Sequence, residues 1–212
     1  MITVNSLVFN MVQTNMYVLS DETGECAIID PACQTEAEKN LLTDFLQKQS
    51  LKPVALWFTH LHFDHIYGAR YVIDTYGVKP MAAKNDLYLI DINNRLTDMW
   101  GIASPEPFEI SDFIDETSQL TFGNSKMHAL FVPGHSAGSL AFVDDDESIC
   151  ISGDALFRMS IGRTDIGGSS EEELLASIRT KIFALPDNAI IYPGHGSTTT
   201  VGQERHCNPY FL

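Results

Sequence analysis

Ten residues, Thr59–Gly68, constrain the fold of this chain more than any other stretch, because they place several metal-binding side-chain types directly after an apolar run. That run, Val54–Phe58, is long enough for one buried strand. The ligand-type residues that follow it are His60, His62, Asp64 and His65. Side chains alternate along an extended chain, so the first two histidines are predicted to face the same side. The aspartate and the third histidine are predicted to point elsewhere as the chain turns into a helix near Gly68. Imidazole and carboxylate are ligands for zinc, iron and manganese, so this spacing predicts a metal site rather than a chance cluster in a solvated loop.

The composition indicates a globular protein and argues against several partner classes. The 212 residues, of which 44% are hydrophobic, suffice for one α/β domain spanning residues 1–212. A formal net charge of −15 argues against nucleic acid or an anionic membrane as the main partner. The first basic residue is Lys39, and no apolar run approaches the roughly 20 residues of a membrane helix, which favours a cytoplasmic location. The four cysteines form no CxxC pair and are expected to be free thiols.

Apolar periodicity and turn residues predict strands and helices in both halves of the chain. Strands are predicted at residues 2–9, 16–19, 26–29, 54–58, 79–83, 126–132, 139–143, 148–151 and 189–192, and helices at 36–49, 69–76 and 171–183, with a short helix or turn at 85–90. Ser170 and Glu173 have the spacing of a capping box. Residues 91–117 are predicted to be irregular, as either a binding loop or a solvated connector. Strands precede helices twice, which predicts two related halves packed as a four-layer αββα sandwich.

Three later strands each lead through a glycine turn to a ligand-type residue. These residues are His135, Asp154 and His195. Glycine allows the sharp turn, and the loops at strand ends are where an α/β fold usually places its chemistry. Either histidine alone would more often be structural, but four strand ends that each present a ligand type favour a joint site. His128 and His206 lack this context and are predicted to be structural.

Seven ligand-type residues exceed what one tetrahedral ion uses and fit two ions better. One predicted set is His60, His62 and His135, the other is Asp64, His65 and His195, and Asp154 is the predicted bridge. Ions in such pairs lie about 3.5–4 Å apart and share a water whose pKa falls to about 7. The candidate catalytic residues are Asp64 and Asp154, and Asp64 either binds a metal or orients and deprotonates the water. The predicted cofactors are two divalent metal ions, with zinc as the first choice and iron or manganese as alternatives.

The pattern of these seven positions resembles that of the metallo-β-lactamase superfamily over nearly the whole chain, which implies an αββα sandwich with metals at one edge. A narrower resemblance is to the glyoxalase II-like branch, also called hydroxyacylglutathione hydrolases. The stretches that carry it are Gly153–Phe157, Ile161–Asp165, Pro193–Gly196 and the ending with Glu204 and Asn208-Pro209. This branch implies a small-molecule thioester substrate, such as S-lactoylglutathione, that is cleaved by a metal-bridging hydroxide.

Other members of the superfamily fit less well. True β-lactamases carry no aspartate at the position of Asp154, and lactonases carry tyrosine where this chain has Phe157. Nucleases of the superfamily fit poorly because the chain is acidic and lacks a basic patch. Persulfide dioxygenases, with a single iron held by the equivalents of His60, His135 and Asp154, are the main alternative. A non-enzymatic metal-sensing module is a further hypothesis, but no appended DNA-binding or partner-binding segment supports it.

The chain departs from full glyoxalase II enzymes in two ways. Those enzymes carry a C-terminal helical domain that helps to bind glutathione, and this chain is expected to lack it. Arg163 matches a basic residue that touches glutathione in them, whereas Asp165 replaces their tyrosine. Arg163 is therefore predicted to bind a substrate carboxylate, or else to pair with Asp165 or with a glutamate of the following helix.

Overall fold

The computed structural model describes residues 1–110 and 112–212, so Ser111, within the segment predicted to be irregular, lies outside the described residues. The helices are α1 (Glu36–Lys48), α2 (Phe63–Ile66), α3 (Ala69–Tyr76), α4 (Tyr88–Trp100), α5 (Glu171–Thr180) and α6 (Val201–Cys207). Short 3-10 turns occupy Lys84–Asp86 and Ile182–Ala184. The strands are β1 (Thr3–Phe9), β2 (Thr14–Ser20), β3 (Glu25–Ile29), β4 (Lys52–Trp57), β5 (Pro80–Ala82), β6 (Asp112–Phe113), β7 (Leu120–Phe122), β8 (Ser125–Phe131), β9 (Leu140–Asp144), β10 (Ile149–Gly153), β11 (Leu156–Phe157), β12 (Ser160–Ile161), β13 (Ile190–Pro193) and β14 (Thr199–Thr200).

The described residues divide into two compact units. The first comprises Met1–Ala82, Leu87–Phe113 and Thr121–Ser125, and the second comprises Ala83–Asp86, Ile114–Leu120 and Lys126–Leu212. Each unit combines a mixed sheet with helices, which confirms the predicted α/β class. The assignment of residues 1–212 to a single domain stays a prediction.

The sheet of the first unit has the strand order β1-β2-β3-β4-β5-β6. β1, β2 and β3 pair antiparallel, whereas β3 to β6 pair parallel. β1, β3 and β4 therefore run in the same direction, and their carboxyl ends meet at one edge. Every residue of β2 is buried, so this strand lies in the apolar core of the unit. The turn after β1 and the segments after β3 and β4 share the edge that carries the histidine cluster.

The sheet of the second unit has the order β14-β13-β10-β9-β8-β7, and β11 pairs with β12 as a separate hairpin. β8 and β10 each pair antiparallel with β9, and β10 pairs parallel with β13. β8, β10 and β13 consequently point the same way. These are the three strands that lead into His135, Asp154 and His195, so topology alone sends those residues to a common edge.

The segment predicted to be irregular begins with a helix. α4 continues from Tyr88 through Trp100, so the prediction was wrong for residues 91–100. The buried positions of this helix are Leu89, Asn93 and Thr97, and two of these three side chains are polar. A helix is predicted from apolar residues that recur on one face, and the polar residues at inward positions of α4 interrupt this pattern. Gly101, with φ +64°, ends the helix in the left-handed conformation that glycine adopts readily.

The capping box predicted for α5 is only half formed. The Ser170 side chain accepts a hydrogen bond from the Glu173 N–H. The Ser170 N–H, however, donates to the Gly134 carbonyl at 2.7 Å rather than to the Glu173 side chain. A complete capping box joins Thr35 and Glu38 at the start of α1. This second capping box was not predicted from the sequence. Serine at the start of α5 therefore links this helix to the loop that carries His135.

In residues 1–110 and 112–212, no helix is both long enough and apolar enough to span a bilayer. All four cysteines are free thiols, as expected. Three of them are buried and Cys207 is exposed.

Candidate metal centre

In the first unit, the residues after β4 form a buried histidine cluster. His60, His62 and His65 are at most 4% exposed. The ring of His60 lies 4.8 Å from the ring of His62 and 4.1 Å from that of His65, measured between ring centroids. His65 is thus closer to His60 than an extended loop alone predicts, because α2 begins at Phe63 rather than near Gly68 and turns the chain back. Asp64 belongs to the same cluster, with its Oδ2 3.4 Å from His65 Nε2.

Asp30 fixes the orientation of this cluster from the end of β3. Its carboxylate is 1% exposed. It accepts hydrogen bonds from the Thr59 N–H at 2.7 Å, from the Thr59 hydroxyl at 2.6 Å and from His65 Nδ1 at 2.9 Å. A carboxylate can only accept from Nδ1, so His65 carries its proton there and presents the lone pair of Nε2. In metal sites, a carboxylate that accepts from the other ring nitrogen orients a histidine ligand in this way.

Thr59 has the same effect on His60. Its hydroxyl proton is committed to Asp30, so the oxygen accepts from His60 Nδ1 at 3.1 Å. His60 therefore also presents the lone pair of Nε2.

Asp64 is held by the turn between β1 and β2. Thr14 donates its hydroxyl proton to Asp64 Oδ2 at 2.7 Å. The Asn10 side-chain amide donates to the Asp64 carbonyl at 3.0 Å and to the Thr14 hydroxyl at 3.1 Å. Asn10 has φ +56°, a left-handed conformation that asparagine tolerates better than most residues. One oxygen of the Asp64 carboxylate is thereby fixed, as a metal ligand or a base requires.

In the second unit, Asp154 lies between two of the predicted histidine ligands. Asp154 Oδ2 is 3.7 Å from His135 Nε2 and 3.5 Å from His195 Nε2. Two atoms bound at about 2.1 Å to one tetrahedral ion lie roughly 3.4 Å apart, so these spacings suit shared cations. Asp154 follows β10 and His195 follows β13, and the Gly194 N–H donates to the Gly153 carbonyl at 2.8 Å. The parallel pairing of the two strands thus brings these two residues together.

His135 is oriented by the backbone of Arg163. Its Nδ1 donates to the Arg163 carbonyl at 2.9 Å, which leaves the lone pair on Nε2. Gly162 makes this approach possible, because a Cβ at that position would lie 1.8 Å from the Asp154 carbonyl oxygen. All three residues whose tautomer the hydrogen bonds define, His60, His65 and His135, therefore present Nε2.

Two elements of the second unit fasten the loop that carries His135. The fully buried Asp86 accepts from the Ser136 hydroxyl at 2.9 Å and from the Gly138 N–H at 2.6 Å. On the other side, the Ser177 hydroxyl of α5 donates to the Pro133 carbonyl at 2.9 Å. Gly134 is in contact with the same helix, since a Cβ there would lie 2.3 Å from the Leu174 nitrogen. The loop is therefore held from both sides.

The Arg163 side chain forms a bidentate ion pair with Asp165. Its Nε lies 2.7 Å from Asp165 Oδ1 and its Nη2 2.9 Å from Oδ2. Hydrogen bonding to Asp165 raises the pKa of Arg163, and Arg163 in turn lowers the pKa of Asp165. The alternative weighed for Arg163, a pair with Asp165, is thus what the structure shows. A role in substrate binding stays a prediction.

The donor sets in each unit fit a borderline divalent metal. In the first unit, His60, His62 and His65 offer imidazole nitrogens and Asp64 offers a carboxylate oxygen. An oxygen of Asp30 also lies within 4.8 Å of one nitrogen each of His60 and His65, but the Asp30 carboxylate already accepts from Thr59 and His65 and acts as an outer partner. Neutral imidazole nitrogens with carboxylate oxygens are ligands that zinc, iron and manganese accept. Among the described residues, His128 and His206 belong to no such group. The union of both sets in one dinuclear centre stays the prediction made from the sequence.

Sequence reasoning gave no role to several residues that support the ligands, among them Asp30, Asn10, Thr14 and Asp86. A usable signal existed for the first, since Asp30 directly follows a buried strand, as Asp154 does. The other three are distant in sequence from the residues they hold, and no local pattern points to them.

The chain is similar to known proteins over most of its length. Residues 10–195 match the family model described as "Metallo-beta-lactamase superfamily". A relative from Haemophilus influenzae named hydroxyacylglutathione hydrolase GloC is 32% identical over 200 residues, which cover 93% of this chain and 92% of that protein. The crystal structure of BLEG-1 B3 metallo-beta-lactamase has a TM-score of 0.90 and 33% identity and covers 99% of both chains. The structure of TTHA1623 in a di-iron-bound form has a TM-score of 0.85 and 32% identity, with 97% of this chain and 99% of that chain covered. These matches confirm the predicted fold.

Proposed function

The chain belongs to the metallo-β-lactamase superfamily, and we propose that it is a metal-dependent hydrolase that cleaves a small-molecule thioester. The superfamily includes many metal-dependent hydrolases. The choice of a thioester is supported by the relative named hydroxyacylglutathione hydrolase and by the resemblance of the Gly153–Phe157 and Ile161–Asp165 stretches to that branch.

Buried histidines with defined tautomers carry the proposal. Three imidazoles in the first unit are almost fully buried within one cluster, and Asp30 and Thr59 direct the Nε2 lone pairs of two of them. A single structural histidine in a core also needs a hydrogen-bond partner, but three buried imidazoles with ring centroids 4.1 to 4.8 Å apart, two of them oriented by outer oxygen groups, are the arrangement expected of metal ligands.

The proposed centre combines both ligand sets. His60, His62 and His135 would hold one ion, and Asp64, His65 and His195 the other, with Asp154 as the bridge. Two divalent ions supply Lewis acidity and a water that is ionised near neutral pH. Zinc is the first choice, and the di-iron form of TTHA1623 supports iron as an alternative.

The residues around the proposed centre contribute orientation and proton handling. Thr14 holds one carboxylate oxygen of Asp64, and this aspartate is the candidate to orient the attacking water and to take its proton. The Arg163 carbonyl and Asp30 keep His135 and His65 in the tautomer that donates a lone pair. A thiolate leaving group has a pKa near 8.5, so the reaction needs little help from a general acid.

Elemental analysis of the purified protein combined with a substrate panel tests the proposal. The panel contains S-lactoylglutathione, a second acyl-thioester, a β-lactam and glutathione persulfide, with the last followed by oxygen consumption. We expect close to two divalent metal ions per chain and the highest kcat/KM for a thioester. One iron per chain with oxygen consumption would instead assign the chain to the persulfide dioxygenases, and faster turnover of the β-lactam would assign it to the β-lactamases.

A further inference from the structure

Helix α4 buries a polar residue at the centre of its inward face. Leu89, Asn93 and Thr97 are spaced four residues apart, and Asn93 is only 2% exposed. Asparagine has moderate helix propensity and is mostly found at surfaces, so a buried asparagine in mid-helix calls for a physical reason.

Asn93 is bonded to the backbone between two histidines. Its Nδ2 donates to the Leu61 carbonyl at 2.7 Å, and Leu61 stands between His60 and His62. A carbonyl only accepts, so this bond sets which end of the amide faces Leu61. The amide oxygen, Asn93 Oδ1, is buried and accepts no hydrogen bond from the described residues.

Because Asn93 Oδ1 has no donor among the described residues, a contribution to the stability of the fold does not explain why asparagine occupies this position. A buried acceptor without a donor is unfavourable, and leucine has the same number of side-chain heavy atoms without that acceptor. The amide nitrogen is what leucine cannot replace, and it donates to the buried Leu61 carbonyl.

We propose that Asn93 is a positioning residue for the metal ligands His60 and His62, an inference that rests on the proposed metal site. Fixing the Leu61 carbonyl fixes the peptide plane that connects Leu61 to His62. This plane lies between the two imidazoles, whose ring centroids are 4.8 Å apart, so a rotation of the plane would change their separation. α4 itself contributes none of the predicted ligands, so its role is to hold the backbone from which they project.

Asn93→Leu compared with Thr97→Val tests this role. Both substitutions remove a buried polar group from the same face of α4. Among the described residues, however, the Thr97 hydroxyl bonds to the carbonyls of Asn93 and Asn94 in its own helix and to the Ser104 hydroxyl, and not to the histidine segment. The measurements are the melting temperature of the metal-free protein, the Kd for Co²⁺ from chelator competition, and the visible absorption spectrum of the Co²⁺-loaded protein.

We expect Asn93→Leu to weaken Co²⁺ binding about 10-fold, the lower end of the loss measured when a group that supports a metal ligand is removed. The visible bands should shift in position and intensity, while the melting temperature of the metal-free protein changes by less than about 4 °C. Thr97→Val should lower the melting temperature and leave Kd and spectrum as in the unchanged protein.

An unchanged Kd and spectrum in Asn93→Leu would overturn the inference, whatever happens to its melting temperature. If Asn93→Leu does not fold, Asn93→Ala removes the same donor by truncation and is read in the same way. Failure of the unchanged protein to bind Co²⁺ at all would refute the proposed metal site itself, which distinguishes that failure from a failure of the positioning role.

Discussion

At the scale of single residues, the ligands are defined by what their other atoms contact. The Nδ1 atoms of His65 and His135 donate to the Asp30 carboxylate and the Arg163 carbonyl. Such contacts decide which nitrogen carries the lone pair before any metal arrives. One residue-scale prediction follows from the difference between histidines that lie in the cluster and histidines that do not.

His62→Ala is expected to weaken metal binding by more than the roughly 100-fold that loss of an outer partner can cost, because it removes a direct ligand. Thioester turnover should fall with it. His128→Ala is the matched control, since His128 lies on β8 outside every ligand group among the described residues. Metal content by elemental analysis and kcat/KM are measured for both. Loss of metal in the His128 variant would reassign the ligands.

Arg163 gives the second residue-scale prediction. Asp165→Ala releases the guanidinium from its exposed ion pair, and such pairs are weak, so KM for an anionic thioester should fall by up to about 5-fold. Arg163→Ala should raise the same KM with a smaller effect on kcat. A neutral thioester serves as the control substrate. If KM for the anionic substrate stays constant in both variants, Arg163 has no part in substrate binding.

At the scale of elements, the loop between β8 and β9 depends on a carboxylate from a different part of the chain. Asp86 belongs to a 3-10 turn and accepts two hydrogen bonds from the loop, one of them from the backbone of Gly138. The position of the loop that carries His135 therefore depends on a carboxylate outside the loop as well as on its own Ser136 hydroxyl.

Asp86→Ala should lower the free energy of unfolding by about 1–3 kcal/mol, because it leaves the buried Gly138 N–H without its acceptor. Metal affinity should fall as well, since the loop carries His135. Asp145→Ala makes the same chemical change at an exposed position and should stay within about 0.5 kcal/mol. Urea unfolding and metal titration of both variants provide the comparison. Equal stability of the two would show that the Asp86 contacts do not hold the loop.

Elements with a strong period were predictable from the sequence, and those fixed by tertiary contacts were not. α3 has the predicted bounds, Ala69–Tyr76, because its apolar face is continuous and Gly77 ends it. α4 was missed over most of its length because Asn93 and Thr97 occupy inward positions. β11 and β12 have two residues each and exist through pairing with each other, which no window of sequence reveals.

The residues of the candidate site also fall into those with a local sequence pattern and those that act through tertiary contacts. The seven ligand-type residues were predictable because each follows a strand or lies in one dense cluster. Asn10, Thr14 and Asp86 act through contacts with residues 50 or more positions away, so their roles depend on the folded topology.

At the scale of the whole molecule, three buried thiols couple stability to alkaline pH. Burial raises the pKa of Cys26, Cys33 and Cys150 from about 9 to about 12. Below pH 9 each thiol is protonated in both the folded and the unfolded chain. Between pH 9 and 12 only the unfolded chain releases these protons, so unfolding becomes more favourable as the pH rises.

The free energy of unfolding is therefore expected to be insensitive to these thiols at neutral pH and to decline above pH 9. Cys150→Ala should make this decline shallower by up to about 1.4 kcal/mol per pH unit, the contribution of one group. Cys207→Ala, at an exposed position, is the control and should keep the original slope. Urea unfolding between pH 7 and 10.5 measures both. A slope that is the same with and without Cys150 would contradict the assignment.

Helix α5 contributes none of the predicted metal ligands, but it contacts the loop that carries His135. Its first turn carries three consecutive glutamates, Glu171, Glu172 and Glu173, which are natural sites for surface substitutions. However, the N–H of Ser170, which precedes the helix, donates a hydrogen bond to the Gly134 carbonyl, and the Ser177 hydroxyl of the helix donates to the Pro133 carbonyl. A substitution that shifts the register of α5 by one residue would break these two hydrogen bonds and move the backbone next to His135. If His135 binds metal as proposed, a substitution in this helix is expected to change the metal affinity as well.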